Sequence, residues 1–515
     1  MLITVKSALS VGLETVAVDV ELHIAHGGLP NLDIVGLAGK AVSESKQRVK
    51  AAIANAGFQF PKGAITVNLA PGDVAKDGPF YDLPIAVGVL HGSEDAAFEI
   101  PESALFFGEL SLDGSLRHTK GALLMALFAK EQGIKELYVP KDSANEASII
   151  SGVDVYPVSH LRELVKHLAG TERLSPVRYA AGPEITPVSD FDLTEIVGQE
   201  QAKRALEIAA AGGHNVLMVG SPGAGKTMLA RALSGILPNM CEEESLEVTK
   251  IYSISGMIPP QGGIVRERPF RAPHHTISAP GLIGGGSKVQ PGEISLSHRG
   301  VLFLDEFNEF PRTVIESMRQ PMEDGHLTVS RSRERVTYPA RFMLAASANP
   351  CPCGFLFDTK KPCMCTDREI ERYRKRVSGP IMDRIDLHID VAAVEIEKLS
   401  LRAKSETTSE SSADVRARVM RARERQAERF AGLGIRTNAE MRNKHIAELC
   451  ELTPEVNSLL TNGAKTFDLS ARSFYKMIKI SRTIADLDGS DDIRSCHMAE
   501  ALQYRPRFIK QKAET

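Results

Sequence analysis

"NVLMVGSPGAGKT", Asn215 to Thr227, is a short apolar run that breaks into a glycine-rich turn and resumes as helix-forming residues from Lys226. Its last eight residues, Gly220, Ser221, Pro222, Gly223, Ala224, Gly225, Lys226 and Thr227, fit GxxxxGK[ST]. The strand before and the helix after supply the context that gives the pattern its force. The chemistry asks for these residue types. Glycines let backbone N–H groups wrap phosphate oxygens, and Lys226 brings a point charge to the β and γ oxygens. Thr227 offers a hydroxyl to Mg2+, and the helix N-terminus favours the anion. ATP and Mg2+ are therefore the expected cofactors.

Working outward, "VLFLDE" follows about 80 residues later, a buried strand ending in Asp305 and Glu306. Asp305 is expected to hold Mg2+ through water, and Glu306 to polarise the attacking water. The next apolar run, "RFMLAASAN", ends in Asn349, whose amide can orient that water beside the γ-phosphate or merely cap the strand. Strands "NVLMVG", "VLFLDE" and "RFMLAASAN" alternate with a helix from Lys226 and one across "PRTVIESMRQPMEDG", which argues for a parallel sheet covered by helices. Directly past Asn349, Cys351, Cys353, Cys363 and Cys365 form CxC, a spacer, then CxC. Four thiolates can close a tetrahedral structural Zn2+ site, with a cluster of free thiols as the alternative.

The flanks differ in character. Val16, Val18, Val20, Leu22 and Ile24 alternate as in a half-buried strand, "AVSESKQRVKAAIANAG" reads as a helix stopped by Gly57, and "AITVNLAPGD" as a strand leaving into a turn. This makes the N-terminal part α+β. Beyond residue 396 strand signals vanish. "KSETTSESSAD" reads as a polar loop, followed by helical runs in "VRARVMRARERQAERF" and "SARSFYKMIKISRTIADL". The expected division of this multidomain α/β chain is residues 1–170, a proline-bearing linker at 171–190, an ATPase module at 191–395 and a helical domain at 396–515. Charged residues make up 25% and the formal net charge is −3, so contact with nucleic acid must come from a local basic patch. No stretch approaches the roughly 18 uninterrupted apolar residues of a membrane span, and seven mostly scattered cysteines do not make a secreted disulfide framework. A cytoplasmic protein without a membrane partner is expected.

Together with these motifs, "GLPNLDIVGL", "ITVNLAPGDVAKDGPFYDLPIA", "RPFRAPHHTIS", "NPCPCG", "DRIDLHIDV" and "LSARSFYKMIKISRTIADL" run in order across nearly the whole chain. In these stretches the sequence resembles the YifB/ComM group of magnesium-chelatase-like AAA+ ATPases. The resemblance implies a Lon-protease-like N-terminal domain of the ribosomal S5 domain 2 type, an AAA+ module and a helical lid. It also implies assembly into a ring, a homo-hexamer. On the same likeness Arg384 of "MDRID" is the arginine finger that reaches the neighbouring subunit's ATP, and Arg472 of "LSAR" is the second sensor.

The likeness also directs attention to three further features. "KDGPFYD" resembles the stretch of Lon proteases that carries the nucleophilic serine, but Phe80 stands in its place and cannot attack a carbonyl; Lys120 lies near the lysine region, where Ala122 occupies the matching position. The fold without the peptidase is expected there. "SRSRER" gathers Arg331, Arg333 and Arg335 at a hairpin tip of the kind that, in this branch of AAA+ proteins, points into the central pore, where they would contact DNA phosphates. The arginines of residues 416–429 are interleaved with Glu424 and Glu428 and read as a salt-bridged face, and His274 and His275 have no nearby ligand set and are not taken as metal ligands. The leading functional reading is a ring ATPase that translocates on single-stranded or branched DNA, promoting branch migration in natural transformation alongside recombination proteins. The rival is a chelatase-like ATPase that remodels a protein partner.

Overall fold

The structure, a computed structural model, describes residues 1–25, 27–93, 97–179, 190–258, 262–286, 289–330, 335–358, 361–392 and 410–505. The chain forms two compact units: Met1–Glu184 with Glu242–Val265 and Ser330–Tyr338, and Ile185–Cys241 with Arg266–Val329 and Pro339–Thr515.

In the first unit, strands Leu2–Val11, Glu14–Ile24, Gly63–Ala70 and Gly27–Val35 lie in that order in one sheet. The first two pair antiparallel from Leu2 opposite His23 to Val11 opposite Glu14. The expected alternation is realised: Val18, Val20 and Leu22 are fully buried while Ala17 and Asp19 are exposed. Gly12 turns this hairpin at φ 63°, and a Cβ there would stand 2.1 Å from Val336 Cγ1, so only glycine fits. Helix Lys40–Asn55 ends before Gly57 at φ 86°, as its sequence requires. It is tied to helix Asp82–His91 by Arg48 Nε, 2.7 Å from the buried Asp82 carboxylate. A second, parallel sheet joins Ala104–Phe106, Glu136–Pro140 and Asp154–Val158.

This unit also takes helix Glu242–Ser255, which the expected division placed in a 191–395 module. The reason is a buried polar contact together with apolar packing. Ser253 Oγ donates to Glu146 Oε1 at 2.5 Å, a carboxylate oxygen that also accepts from the Leu123 N–H, and Leu246 and Ile254 pack on the core around Leu124, Ala126 and Phe128. Residues 180–189 of the expected linker lie outside the described residues.

The second unit is built on a five-stranded parallel sheet ordered Phe270–Arg271, Val301–Leu304, Met343–Ala348, Val216–Gly220, Leu387–Val391. Val301–Leu304 and Met343–Ala348 are buried on both faces, which is why they read as continuous apolar runs. Leu206, Val216 and Leu229 share one core with Val415, Val419, Met477 and Ile480 from helices Ser412–Arg429 and Ala471–Leu487. The helices after 410 therefore pack with the ATPase sheet in one compact unit. The single helix expected across 311–325 is two short ones, Arg312–Glu316 and Arg319–Asp324, because Pro321, in the first turn of the second, has no N–H to give to the Ser317 carbonyl.

Of the arginines of Ser412–Arg429, Arg418, Arg425 and Arg429 are ion-paired, but with partners outside the helix and not with Glu424 or Glu428. Arg418 meets Glu207 at 2.5 Å and Glu410 at 2.7 Å, Arg425 meets Asp491, and Arg429 meets the buried Asp486. Strands His326–Ser330 and Arg335–Pro339 form a two-stranded sheet. Among the described residues no helix is long and apolar enough to cross a membrane.

Candidate functional site

The parallel sheet sets the site at the C-terminal ends of its strands. Val216–Gly220 runs into the turn, and Gly223 and Gly225 adopt φ 78° and 88°, conformations that turn backbone N–H groups towards the cradle. Helix Lys226–Ile236 begins at the lysine. The Lys226 ammonium lies 2.7 Å from the Gly220 carbonyl, 3.0 Å from that of Ser221 and 3.2 Å from Asn349 Oδ1. Burial pushes its pKa down, and the nearby Asp305 and Glu306 carboxylates act against that shift.

The neighbouring strands deliver the metal and base groups. Thr227 Oγ1 donates to Asp305 Oδ2 at 3.0 Å, so the two residues expected to serve Mg2+ already touch. Ser347, buried in the strand that precedes Asn349, donates its hydroxyl to Asp305 Oδ1. Glu306 follows at φ 53°, a left-handed conformation unusual for a non-glycine residue, and its N–H bonds Asp305 Oδ1 at 3.1 Å. Its carboxylate lies 3.3 Å from His275 Nδ1. The residues fit ATP and Mg2+: a hydroxyl and a carboxylate converge for the cation, and an ammonium stands beside them for the phosphates.

Neither Ser347 nor the contact of His275 with Glu306 is marked by a sequence motif. His275 lies just beyond the short strand Phe270–Arg271, paired with Val301–Leu304, and that adjacency was the available signal.

The four cysteines form one cluster, with all ligand atoms within 4.8 Å of one another. Sγ–Sγ distances are 3.4 Å for Cys351–Cys353, 3.6 Å for Cys351–Cys363 and 3.5 Å for Cys353–Cys363. All four are free thiols, and a tetrahedron with Zn–S bonds of about 2.3 Å has edges of about 3.8 Å, so the spacing suits a metal and not a disulfide. The Phe355 N–H holds the Cys353 thiol down to about 6, whereas burial pushes Cys351 up to about 12. The cluster abuts the phosphate loop: Gly354, at φ 82°, leaves so little room that a Cβ would stand 2.6 Å from Pro222 Cδ.

Arg384 and Arg472 meet on one carboxylate. Arg384 Nη2 bonds Glu323 Oε2, Arg384 Nη1 bonds the Pro380 carbonyl at 2.7 Å, and Arg472 Nη2 lies 3.6 Å from Glu323 Oε1. The Arg384 hydrogen bond holds the Glu323 carboxyl below its ordinary range. Arg384 Nε is buried without a hydrogen-bond partner, so the guanidinium is only partly satisfied. No hydrogen bond or ion pair among the described residues joins either arginine to Lys226, Thr227, Asp305 or Glu306.

Arg331 and Arg333 lie outside the described residues, and Arg335 is exposed at the start of its strand. In the first unit Phe80 packs in an aromatic cluster, 4.7 Å from the Tyr81 ring and 5.0 Å from Phe107, Lys120 Nζ donates to the Ser255 carbonyl at 3.2 Å, and Ala122 is buried.

Comparison with known proteins agrees with this geometry. The family described as "Magnesium chelatase, subunit ChlI" matches residues 192–399, "Subunit ChlI of Mg-chelatase" matches 20–143, and "Magnesium chelatase, subunit ChlI C-terminal" matches 409–505. Competence protein ComM of Haemophilus influenzae is 40% identical over 506 residues, 97% of this chain and 97% of the relative. The uncharacterized protein YifB of Escherichia coli is 40% identical over 501 residues, 97% and 96% of the two chains. The magnesium-chelatase 38 kDa subunit of Rhodobacter capsulatus is 30% identical over 197 residues, 35% of this chain and 54% of that subunit. With phosphate loop, Asp305–Glu306 pair and Asn349 in place, and likeness along its whole length, the chain belongs to the YifB/ComM family of magnesium-chelatase-like AAA+ ATPases.

Proposed function

We propose that the chain is a ring-forming cytoplasmic ATPase, a homo-hexamer, that couples ATP hydrolysis to movement along single-stranded or branched DNA. Its task is branch migration during recombination in natural transformation, alongside recombination proteins. The observation that carries the hydrolytic part is the pairing of Lys226 with Asn349 at 3.2 Å and, on the next residue, of Thr227 with Asp305 at 3.0 Å. Mg2+, held by Thr227 and through water by Asp305, would screen the charge of the β- and γ-phosphates. Lys226 binds those phosphates, Glu306 takes the proton of the attacking water, and Asn349 fixes that water's direction.

Arg384 completes the site of the neighbouring subunit, a role supported by its unsatisfied Nε, and Arg472 senses nucleotide from the same carboxylate, Glu323. Cys351, Cys353, Cys363 and Cys365 hold one structural Zn2+, which fixes the loop leaving Asn349. The N-terminal Lon-like unit serves assembly or docking and not peptide hydrolysis, because Phe80 offers no nucleophile. The DNA part draws on the likeness to a competence protein and on the arginine hairpin that includes Arg335.

The test mixes two inactive variants. Glu306→Gln should bind ATP but hydrolyse it poorly, and Arg384→Ala should lose turnover by orders of magnitude with a smaller loss of nucleotide affinity. Mixed rings contain interfaces with both residues intact and should regain activity, including migration of a four-way junction. Mixed rings that form but stay inactive would refute the shared site. Activity stimulated by a folded protein partner and indifferent to DNA would favour the remodelling reading.

A further inference from the structure

A cavity of about 580 Å³ lies beside the turn that follows Glu306, lined by Asn308, Glu309, Arg312, Arg372, Lys375 and Arg376 among others. Of its four cations, Lys375 is paired with Glu371 and Arg376 with Glu309, which leaves Arg312 and Arg372 as the excess charge in a chain whose formal net charge is −3. Both walls are fixed. Helix Asp367–Arg374 starts at a capping box on Thr366, directly after the cysteine cluster, and buries Ile370 and Tyr373. Asn308 Nδ2 bonds the Tyr373 carbonyl at 3.1 Å, and Arg376 is held by Glu309 at 2.5 Å.

The helix dipole accounts for cations at the end of Asp367–Arg374 but not for Arg312. Arg312 opens helix Arg312–Glu316, the end where a cation is disfavoured, and it makes no ion pair with a described residue. Arg372 also lines the cavity and forms no salt bridge with a described residue, although its charge helps to lower the Glu369 carboxyl. Unpaired guanidiniums held on rigid supports around a concavity suit phosphate oxygens. The nearby rings of Phe310 and Tyr373 are only 3% and 4% exposed, so no face is offered for stacking a base. A ligand held here is gripped by its phosphates alone.

We infer that this cavity is a second nucleic-acid site, one that takes the phosphodiester backbone of a single strand irrespective of sequence. The inference rests on the DNA reading above but uses residues apart from the arginine hairpin. Because Asn308 and Glu309 continue the turn that carries Glu306, a strand seated here contacts the catalytic segment directly.

The test measures binding of fluorescently labelled oligothymidylate to the full chain with ATP and Mg2+ by anisotropy, over a series of KCl concentrations. Arg312→Ala with Arg372→Ala should weaken binding roughly tenfold or more. It should also lower the slope of log affinity against log salt by about 1.4, about 0.7 for each of two phosphates. Arg312→Lys with Arg372→Lys should keep most of the affinity, and a charge-matched control on the exposed Arg421 and Lys444, both to Ala, should leave affinity and slope unchanged. Wild-type affinity and slope in the Arg312/Arg372 alanine variant would overturn the inference and leave the DNA reading standing. A wild type that does not bind would remove both. Unchanged oligonucleotide binding with an altered oligomeric state by light scattering would reassign the cavity to contact between subunits.

Discussion

Replacing Gly354 with alanine should damage nucleotide binding from outside the phosphate loop. Gly354 sits at φ 82°, where an L-residue with a Cβ costs about 1–2 kcal/mol. The new methyl would lie 2.6 Å from Pro222 Cδ and 2.7 Å from its Cγ, a clash with a ring that cannot rotate away, for which overpacking costs of about 1–3 kcal/mol apply. The total is about 2–5 kcal/mol. Relief requires either Pro222 or the cysteine loop to move. If even about 2 kcal/mol falls on the nucleotide-binding conformation, affinity drops roughly 30-fold. Titration with a fluorescent ATP analogue, beside zinc content by metal analysis, reads both routes. Gly432 provides the control, because it has φ 78° with nothing within 4 Å of a Cβ; Gly432→Ala carries the backbone strain without the clash and should leave nucleotide affinity unchanged. Gly354→Ala with wild-type nucleotide affinity and full metal would refute the claim that the cysteine loop braces the phosphate loop.

Metal analysis of protein purified without chelator should find about one Zn2+ per chain, and Cys351→Ser with Cys353→Ser should lose it; a metal-free wild type that folds normally would contradict this. His275→Ala should lower kcat several-fold with little change in nucleotide affinity, since it removes only the group that orients Glu306; an unchanged kcat would return His275 to a surface role. Burial holds His388 down to about 4, and burial also lowers His214, so the unfolded chain takes up protons near 6.5 that the folded chain refuses. Stability should therefore fall as pH drops from about 6.5 to 4, and His388→Asn should flatten the decline in melting temperature; a wild-type melting temperature that is flat across that window would refute it.

What was legible in the sequence follows the range of the interactions. The phosphate loop, Asp305 and Asn349 announce themselves because each is a residue type at the end of an apolar run, and a parallel sheet brings such ends together. The cysteine cluster was legible for the same reason, since its four ligands lie within one loop. Glu323 was not, because its pairing with Arg384 and Arg472 joins three segments that no local pattern connects. The helix Glu242–Ser255 reads from its neighbours as part of the ATPase module, but Ser253 meets a buried carboxylate 107 residues earlier in the chain, and that contact decides its place. The ion pairs of Arg418 and Arg429 show the same limit: helical charge spacing predicts a paired face, while Glu207 and Asp486 come from other helices. Pro321 was a legible signal for a break one turn earlier, at Ser317–Met318, against the apolar periodicity around it.

The most direct test of coupling between hydrolysis and DNA is the steady-state ATPase rate of the full chain, alone and with single-stranded, duplex and forked DNA at fixed salt. Mg2+-dependent hydrolysis should rise with DNA, most with single-stranded or forked substrates, and Arg335→Ala should lower that stimulation and leave the basal rate intact. A rate identical with and without every DNA, from intact rings that hydrolyse ATP, would contradict that coupling.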